Sequence, residues 1–252
     1  MQTEGTMLSE QRHETILKIL KEKRSVTVTE LTELLDISES TARRDIVMLD
    51  RAGKLVKVFG GAVLADSTYQ AAEPTVTQRV EVNREEKRQI ARYAASLLEP
   101  QDFVYLDAGT TTGYMLDFIE ETEATFVTNA VAHAQRLAAK GMHVLLVGGT
   151  LKSTTEAVVG TMAALTLQDY HFTKGFFGTN GADLTAGHTT PDANEALVKR
   201  TAMEQCRKAY VLCDKSKFHV VSSVTFASLA SAAILTDNAP EEFREIADVI
   251  LC

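Results

Sequence analysis

From residue 103 onward the chain repeats one theme: a short apolar run, a loop of small residues, then a helical stretch. The apolar runs fall at 103–106 (FVYL), 125–127 (TFV), 143–147 (HVLLV), 174–177 (KGFF), 209–213 (AYVLC) and 232–236 (AAILT). Strand–loop–helix alternation predicts an α/β domain with a largely parallel sheet. Ligands of such sheets bind beyond the carboxyl ends of the strands. The loops to watch are therefore 107–113 (DAGTTTG), 128–130 (TNA), 148–152 (GGTLK), 178–183 (GTNGAD) and 214–217 (DKSK).

The N-terminal part has a different grammar. Residues 38–53 (SESTARRDIVMLDRAG) read as one helix, with Ser38 to cap its start and Gly53 to close its end. Ala42, Ile46 and Leu49 form an apolar face, and Ile37 stands at staple spacing to Ala42. Ser40, Thr41, Arg43, Arg44 and Val47 are left on the other side. Upstream, Ser9 is placed to cap a helix over about 10–23 with His13, Ile16, Leu17 and Leu20 on one face. Residues 24–28 suit a small strand. Thr27 and Glu30 match a capping box that opens a helix carrying Leu31, Leu34 and Leu35, and Asp36-Ile37 makes the turn.

Two helices joined by a short turn, the second with exposed Arg and Ser/Thr near its start, is the helix-turn-helix pattern. Leu55, Val58 and Phe59 are strand formers before Gly60-Gly61, a turn signal, so a hairpin wing follows the helices. The wing places Lys54 and Lys57 against a DNA backbone. An Arg pair on an amphipathic helix is by itself usually a solvated face, but helix, strand, helix, recognition helix and wing in about 60 residues predict binding to double-stranded DNA. Ser38, Ser40, Thr41, Arg43 and Arg44 are then the groove and phosphate contacts.

Charge distribution allows this. The net charge is −8, yet residues 1–60 hold ten basic and ten acidic residues, so all of the acidity lies beyond them. No apolar run approaches the roughly 20 residues of a membrane helix, and the start of the chain lacks a signal pattern. Cys206, Cys213 and Cys252 show no C-x-x-C spacing, which suggests neither a disulfide framework nor a zinc site. A cytoplasmic protein with no membrane partner is expected.

Residues 65–82 carry little periodicity and, with Pro74, suggest a linker. Asn83 is placed to cap the next helix, with Glu86 at its third position and Ile90, Ala91, Ala94, Leu97 and Leu98 on its apolar face. In the 107–113 loop, Gly109 allows close backbone approach, and Thr110, Thr111 and Thr112 offer hydroxyls and N–H groups at a helix start. That geometry suits a phosphate monoester and equally suits a plain tight turn. The Walker G-K-[ST] is missing. Glu195 and Lys199 are spaced i, i+4 and, by spacing alone, read as a surface ion pair. Lys215 lies just after a strand end. Asn129, Asn180 and Asp183 are candidates for sugar hydroxyls or for loop capping.

The run VTVTELTELLDISESTARRDIVMLDRAGKLVKVFGGA resembles the DeoR family of bacterial transcriptional regulators. Thr41, Arg43, Arg44, Asp45, Gly53, Leu55, Gly60, Gly61 and Ala62 stand at the places of that family's recognition helix and wing. Ala42 replaces the usual Ile, and Phe59 the usual His. NREEKRQIA, DAGTTT, VTNA, GGTLK, GTNGAD, TTPDANEALVKR and DKSKF are similar to the family's sugar-phosphate-sensing domain, with His219 in place of Gly after SKF. The resemblance covers nearly all of residues 8–237.

It implies a winged helix-turn-helix domain at 1–64, a linker at 65–82, and a sensor at 83–252 similar in fold to ribose-5-phosphate isomerase. It also implies a homodimer or homotetramer that needs no cofactor besides a sugar-phosphate effector. By that likeness Asp107, Gly109, Thr110, Thr111, Thr112, Asn129, Glu195, Lys199 and Lys215 line the effector pocket, together with Gly149, Lys152 and Asn180 of the matching segments. FVYLDAGTTT, MLDFIEET, FTKGFFGTNG and GHTTPDANEALVK look closest to fructose operon repressors, which implies fructose 1-phosphate as effector. The competing expectation is an isomerase with an appended DNA-binding head, using Asp183 or Glu195 as general base. A phosphosugar-binding adaptor requires that the basic face be covered.

Overall fold

The computed structural model describes residues 9–23, 25–58, 60–64, 68–69, 75–120 and 123–252. Its N-terminal part is a winged helix-turn-helix made of α1 (Ser9–Lys23), β1 (Ser25–Thr27), α2 (Val28–Leu35), α3 (Glu39–Arg51), β2 (Leu55–Val58) and β3 (Gly61–Leu64). The boundaries have local causes. The Thr27 hydroxyl accepts from Glu30 N, and the Glu30 carboxylate accepts the Thr27 N–H at 2.8 Å, which is the expected box. Asp36 ends α2 in the left-handed region at φ 49°. Ser38 caps α3 by accepting from Thr41 N at 3.2 Å, and Gly53 leaves it at φ 67°.

β3 pairs antiparallel with both β1 and β2, so the wing is tied to the helices rather than free. Its two glycines have separate tasks. Gly60 turns the hairpin at φ 82°. Gly61 gives clearance, since a Cβ there would lie 2.1 Å from Val26 O. Ile16, Leu20, Leu31, Ala42, Ile46, Leu49 and Leu55 fill the core. Two expectations change. α1 begins at Ser9 itself, and Leu34 is 54 % exposed because α2 turns Val28 and Leu31 inward instead. Arg24, Phe59 and Pro74 lie outside the described residues.

The rest of the chain runs β4 (Thr68–Tyr69), α4 (Val76–Val80), α5 (Arg84–Ser96), β5 (Phe103–Leu106), α6 (Thr110–Phe118), β6 (Thr125–Thr128), α7 (Val131–Ala139) and β7 (His143–Leu146). It continues through β8 (Thr150–Lys152), β9 (Ala157–Val159), α8 (Thr161–Gln168), β10 (Phe172–Gly178), β11 (Gly181–Asp183), β12 (Gly187–Thr190), α9 (Ala193–Glu204) and β13 (Cys206–Leu212). β14 (Val220–Val221), β15 (Val224–Ala227), β16 (Ala233–Thr236), α10 (Glu241–Ile246) and β17 (Val249–Leu251) follow.

Seven strands form one sheet in the order β17-β16-β13-β10-β5-β6-β7, every neighbour parallel. The six apolar runs are six of these strands; β17 is additional. Successive residues enter opposite layers. Val104, Leu106, Phe126, Phe176, Leu212 and Leu235 pack with Ile90, Met115 and Leu137 of α5, α6 and α7. Tyr105, Val127, Phe177, Val211 and Ile234 pack with Leu167, Val198 and Phe243 of α8, α9 and α10. Burial on both faces is why these strands read as continuous apolar runs.

The stretch expected to be a linker contains structure. β4 pairs in parallel with β14, and a Thr75–Gln78 capping box opens α4. Asn83 stands at the N-cap of α5 but caps nothing with its side chain. Its amide instead donates to Asp214 Oδ1 at 2.9 Å and Ser216 Oγ at 3.1 Å, joining α5 to the loop after β13. Among the described residues no helix is long and apolar enough to cross a membrane.

Candidate functional site

On α3, Ser40, Arg43 and Arg44 are exposed and Thr41 is half-buried, while Lys54 and Lys57 are exposed on and before the wing. The basic face is therefore open in this chain. The Ser38 hydroxyl is committed to its cap and lies 2.9 Å from Ser40 Oγ and 2.8 Å from Thr41 Oγ1. Arg43 Nε donates to Glu39 Oε1 at 2.9 Å within the helix. The orientation of α3 is set from behind. Buried Asp45 takes two bonds from buried Arg12 of α1, and His13 Nε2 lies 3.2 Å from Asp45 Oδ1. Burial alone would raise Asp45, but the bonds from Arg12 and His13 outweigh it and hold the carboxyl below its ordinary range.

The second site is a cavity of about 320 Å³ at the carboxyl ends of β5, β10 and β13, at the small end of ligand cavities. Its floor is the β5–α6 turn. Ala108, Gly109, Thr110 and Thr111 line it, and the first-turn N–H groups of a helix have no intrahelical acceptor. Gly178, Thr179 and Asn180 follow β10; Glu195 and Lys199 come from α9. Gln78 and Arg79 of α4, Lys87 of α5, and Asp214 and Lys217 of the loop after β13 supply the rest of the wall.

Of the residues anticipated from sequence, Gly109, Thr110, Thr111, Asn180, Glu195 and Lys199 thus come together at one cavity. Glu195 and Lys199 do not pair with each other as their spacing suggested. Lys199 Nζ donates to Asp107 Oδ2 and, at 3.1 Å, to Gly178 O. Glu195 accepts from Thr155 and Thr190 hydroxyls and lies 3.4 Å from Lys152 Nζ. Both are buried, so the surface-pair expectation is replaced by two separate buried networks.

The other anticipated residues stand off the lining. Asp107 sits beneath it, also accepting Gly178 N at 2.9 Å. Thr112 locks the turn, donating to Asp107 O at 2.7 Å and accepting Gly109 N at 2.9 Å. Asn129 clamps the same loop, accepting from Tyr105 Oη and Ala108 N and donating to Val158 O. Gly149, at φ 151°, gives clearance for Val159 O. Lys152 bridges Asp192 and Glu195. Lys215 is turned outward to Glu86 at 3.2 Å. Asp183 accepts Thr185 N and Ala186 N and holds its own turn, so it is not placed as a general base for the cavity.

Three cationic residues of this wall were not singled out from sequence. Lys87 is 4 % exposed and donates to Arg79 O. Burial, partly offset by Asp214, pulls its pKa down to about 8. Its signal was available: Lys87, Ile90, Ala91 and Ala94 share one helical face and all are buried, which makes a lysine on an apolar stripe. Arg79 sits where periodicity is weak. Its Nε and Nη2 are buried without a hydrogen-bond partner. Lys217, two residues beyond Lys215, carries no periodic mark. Arg79, Lys87, Lys217 and the first turn of α6 thus bring positive charge and donors to the cavity, with the Asp214 carboxylate near Lys87. Glu195, Thr155 and Asn180 of the same lining offer partners for hydroxyls.

Comparison with known proteins agrees with this two-part build. The family model described as the DeoR-like helix-turn-helix domain matches residues 12–68, and that of the DeoR C terminal sensor domain matches residues 82–238. An HTH-type transcriptional regulator of Bacillus subtilis, FruR, itself described as uncharacterised, is 42 % identical over 237 residues, 93 % of each chain. A putative aga operon transcriptional repressor of Escherichia coli O157:H7 is 34 % identical, covering 83 % of this chain and 78 % of that one. The lactose phosphotransferase system repressor of Streptococcus mutans is 32 % identical, covering 92 % and 93 %. Among solved structures, ribose 5-phosphate isomerase A of Methanocaldococcus jannaschii aligns with a TM-score of 0.41 at 14 % identity over 54 % of this chain and 55 % of that one, too distant to carry weight. With its helix-turn-helix and sensor segments both matched and a relative this similar along nearly its whole length, the chain belongs to the DeoR family of transcriptional regulators.

Proposed function

We propose that this chain is an operator-binding repressor of a sugar-utilisation operon, released from DNA by a phosphorylated sugar, with fructose 1-phosphate the first candidate. The observation that carries the sensor half is the Arg79 guanidinium, buried at Nε and Nη2 without an acceptor in a cavity that also holds Lys87 and an open helix N-terminus. A phosphate fits there on charge and on donor geometry. Glu195, Thr155 and Asn180 of the same lining offer partners for the sugar hydroxyls, and the Lys199–Asp107 pair fixes that wall. The relative named as a lactose phosphotransferase system repressor supports a sugar operon, and fructose 1-phosphate comes first through the resemblance of residues 103–112 and 187–199 to fructose operon repressors.

The DNA half rests on α3 and the wing, with Ser40, Thr41, Arg43 and Arg44 toward the groove and Lys54 and Lys57 on the backbone. Two copies meet half-sites about 34–36 Å apart, so a change in the relation of the heads shifts the population between bound and free states.

The test is fluorescence anisotropy on labelled DNA from upstream of the protein's own transcription unit, at stated salt, titrated with a phosphosugar panel led by fructose 1-phosphate. Release by one phosphosugar alone is expected. Specific binding that no member of the panel reverses would discard the sensor assignment. Failure to bind specifically would discard the repressor.

A further inference from the structure

Gln78, Arg79 and Val82, between the wing and the sensor, line the cavity. β3 ends at Leu64 and β4 begins at Thr68. β4 pairs with β14, whose Val220 lines the cavity. α4 follows, and none of its five residues is fully buried: Val76, Arg79 and Val80 are half-buried, and polar tethers hold it at both ends. Val76 N donates to Thr154 O at 3.2 Å, next to the cavity residue Thr155. Tyr114 Oη of α6 donates to Val80 O at 3.0 Å. Lys87 Nζ donates to Arg79 O. Gln78 and Arg79 face the cavity from between these anchors.

A short helix with no fully buried residue belongs to the low-stability end of a fold, where ligands change order most easily. Arg79 of α4 and the first turn of α6 line the same space; Arg79 Nε and Nη2 have no acceptor, and first-turn N–H groups have none within their own helix. One anion can satisfy both, and in doing so it joins α4 to the sensor with charge-assisted bonds.

We propose that α4 is the element that passes cavity occupancy to the DNA-binding part: an anion clamped between Arg79 and the first turn of α6 fixes α4, and the chain leading back through β4 resets the wing and recognition helix. This rests on the phosphosugar reading of the cavity and adds the route by which it acts. Arg79 is both contact and transmitter. Tyr114 is a positioning residue, since it holds α4 to α6 without lining the cavity. Reciprocity follows, because operator binding lowers anion affinity by the factor with which the anion lowers operator affinity.

The test uses the full chain. Hydrogen exchange of residues 75–82 is followed with fructose 1-phosphate and, separately, with inorganic phosphate, while calorimetry records binding of each. Binding with clear slowing of exchange in 75–82, lost in Arg79→Gln, is expected. Binding without slowing there overturns the route and leaves the cavity assignment standing. No binding of either anion overturns both. The second arm is Tyr114→Phe on operator DNA. It should keep anion affinity within about twofold and lose at least about fivefold of the coupling factor, within the usual 5–150-fold range of such couplings. An unchanged coupling factor in Tyr114→Phe sinks the proposal.

Discussion

Arg12 of α1 and Asp45 of α3 form a buried two-point ion pair, 7 % and 1 % exposed, behind the face that carries Arg43 and Arg44. The contact fixes the rotation of the recognition helix about its axis, which Ala42, a small residue, specifies weakly. Removing one partner of a buried pair costs about 3–5 kcal/mol, because the other charge is left without a solvent shell. Asp45→Ala should therefore unfold or loosen the N-terminal part, seen as a drop in its denaturant midpoint and loss of operator binding. Arg12→Met with Asp45→Leu should recover much of the stability. If Asp45→Ala leaves both the midpoint and operator affinity unchanged, the pair does not orient the helix.

Arg43 and Arg44 differ in what they must release before reaching DNA. Arg44 is exposed, whereas Arg43 is held by Glu39, an exposed i, i+4 pair worth a few tenths of a kcal/mol. Either arginine changed to alanine should weaken operator binding without altering phosphosugar affinity. A base contact would cost about 1–3 kcal/mol and relax one position, while a phosphate contact would flatten the salt slope by about one. Glu39→Ala should strengthen binding, since it frees Arg43 and removes an acid from the groove face. Weaker binding by Glu39→Ala in anisotropy would mean that Glu39 presents Arg43 rather than restrains it.

Lys199 and Glu195 test a different point, because their spacing and their contacts disagree. The structure pairs Lys199 with Asp107 and Glu195 with Thr155, Thr190 and Lys152. A double-mutant cycle on Glu195→Gln and Lys199→Ala should give a clearly smaller coupling than Asp107→Asn with Lys199→Ala, which should couple by about 1–3 kcal/mol. Chemical denaturation of the full chain reads both cycles. A large Glu195–Lys199 coupling would restore the helix-surface pair.

What was legible in the sequence follows from what each signal encodes. The parallel sheet was visible because strands buried on both faces become unbroken apolar runs, and the helix boundaries because Ser38, Thr27 and Gly53 act on their own neighbours. Gly109, Thr110 and Thr111 were visible for the same local reason, as a turn into a helix. Lys215 stands out in the sequence by its place after a strand, yet a loop has no fixed period, and two residues decide whether a side chain meets Glu86 or the cavity. Arg79 matters through contacts with α5 and α6, which no local pattern of residues 75–82 encodes. Leu34 looked like core because hydropathy counts residues, while only two turns of helix were available to face inward.

Lys87 makes the cavity pH-sensitive in a direction that can be stated. Burial lowers its pKa to about 8; Asp214 opposes this, and Lys217 and Arg79 reinforce it. A phosphate group entering beside it favours the charged ammonium and raises the value again. Binding should therefore be strongest where Lys87 is already protonated, below about pH 8, and should weaken as pH rises through that value. Near pH 8 and above, binding should take up a fraction of a proton, which calorimetry detects as a dependence of the binding enthalpy on buffer ionisation enthalpy. Lys87→Met should bind more weakly at pH 7 and lose the alkaline fall-off, while Lys215→Met, turned outward to Glu86, should keep both. A wild-type affinity flat from pH 7 to 9, or a Lys87→Met variant that keeps the wild-type profile, would show that the phosphate does not sit against Lys87.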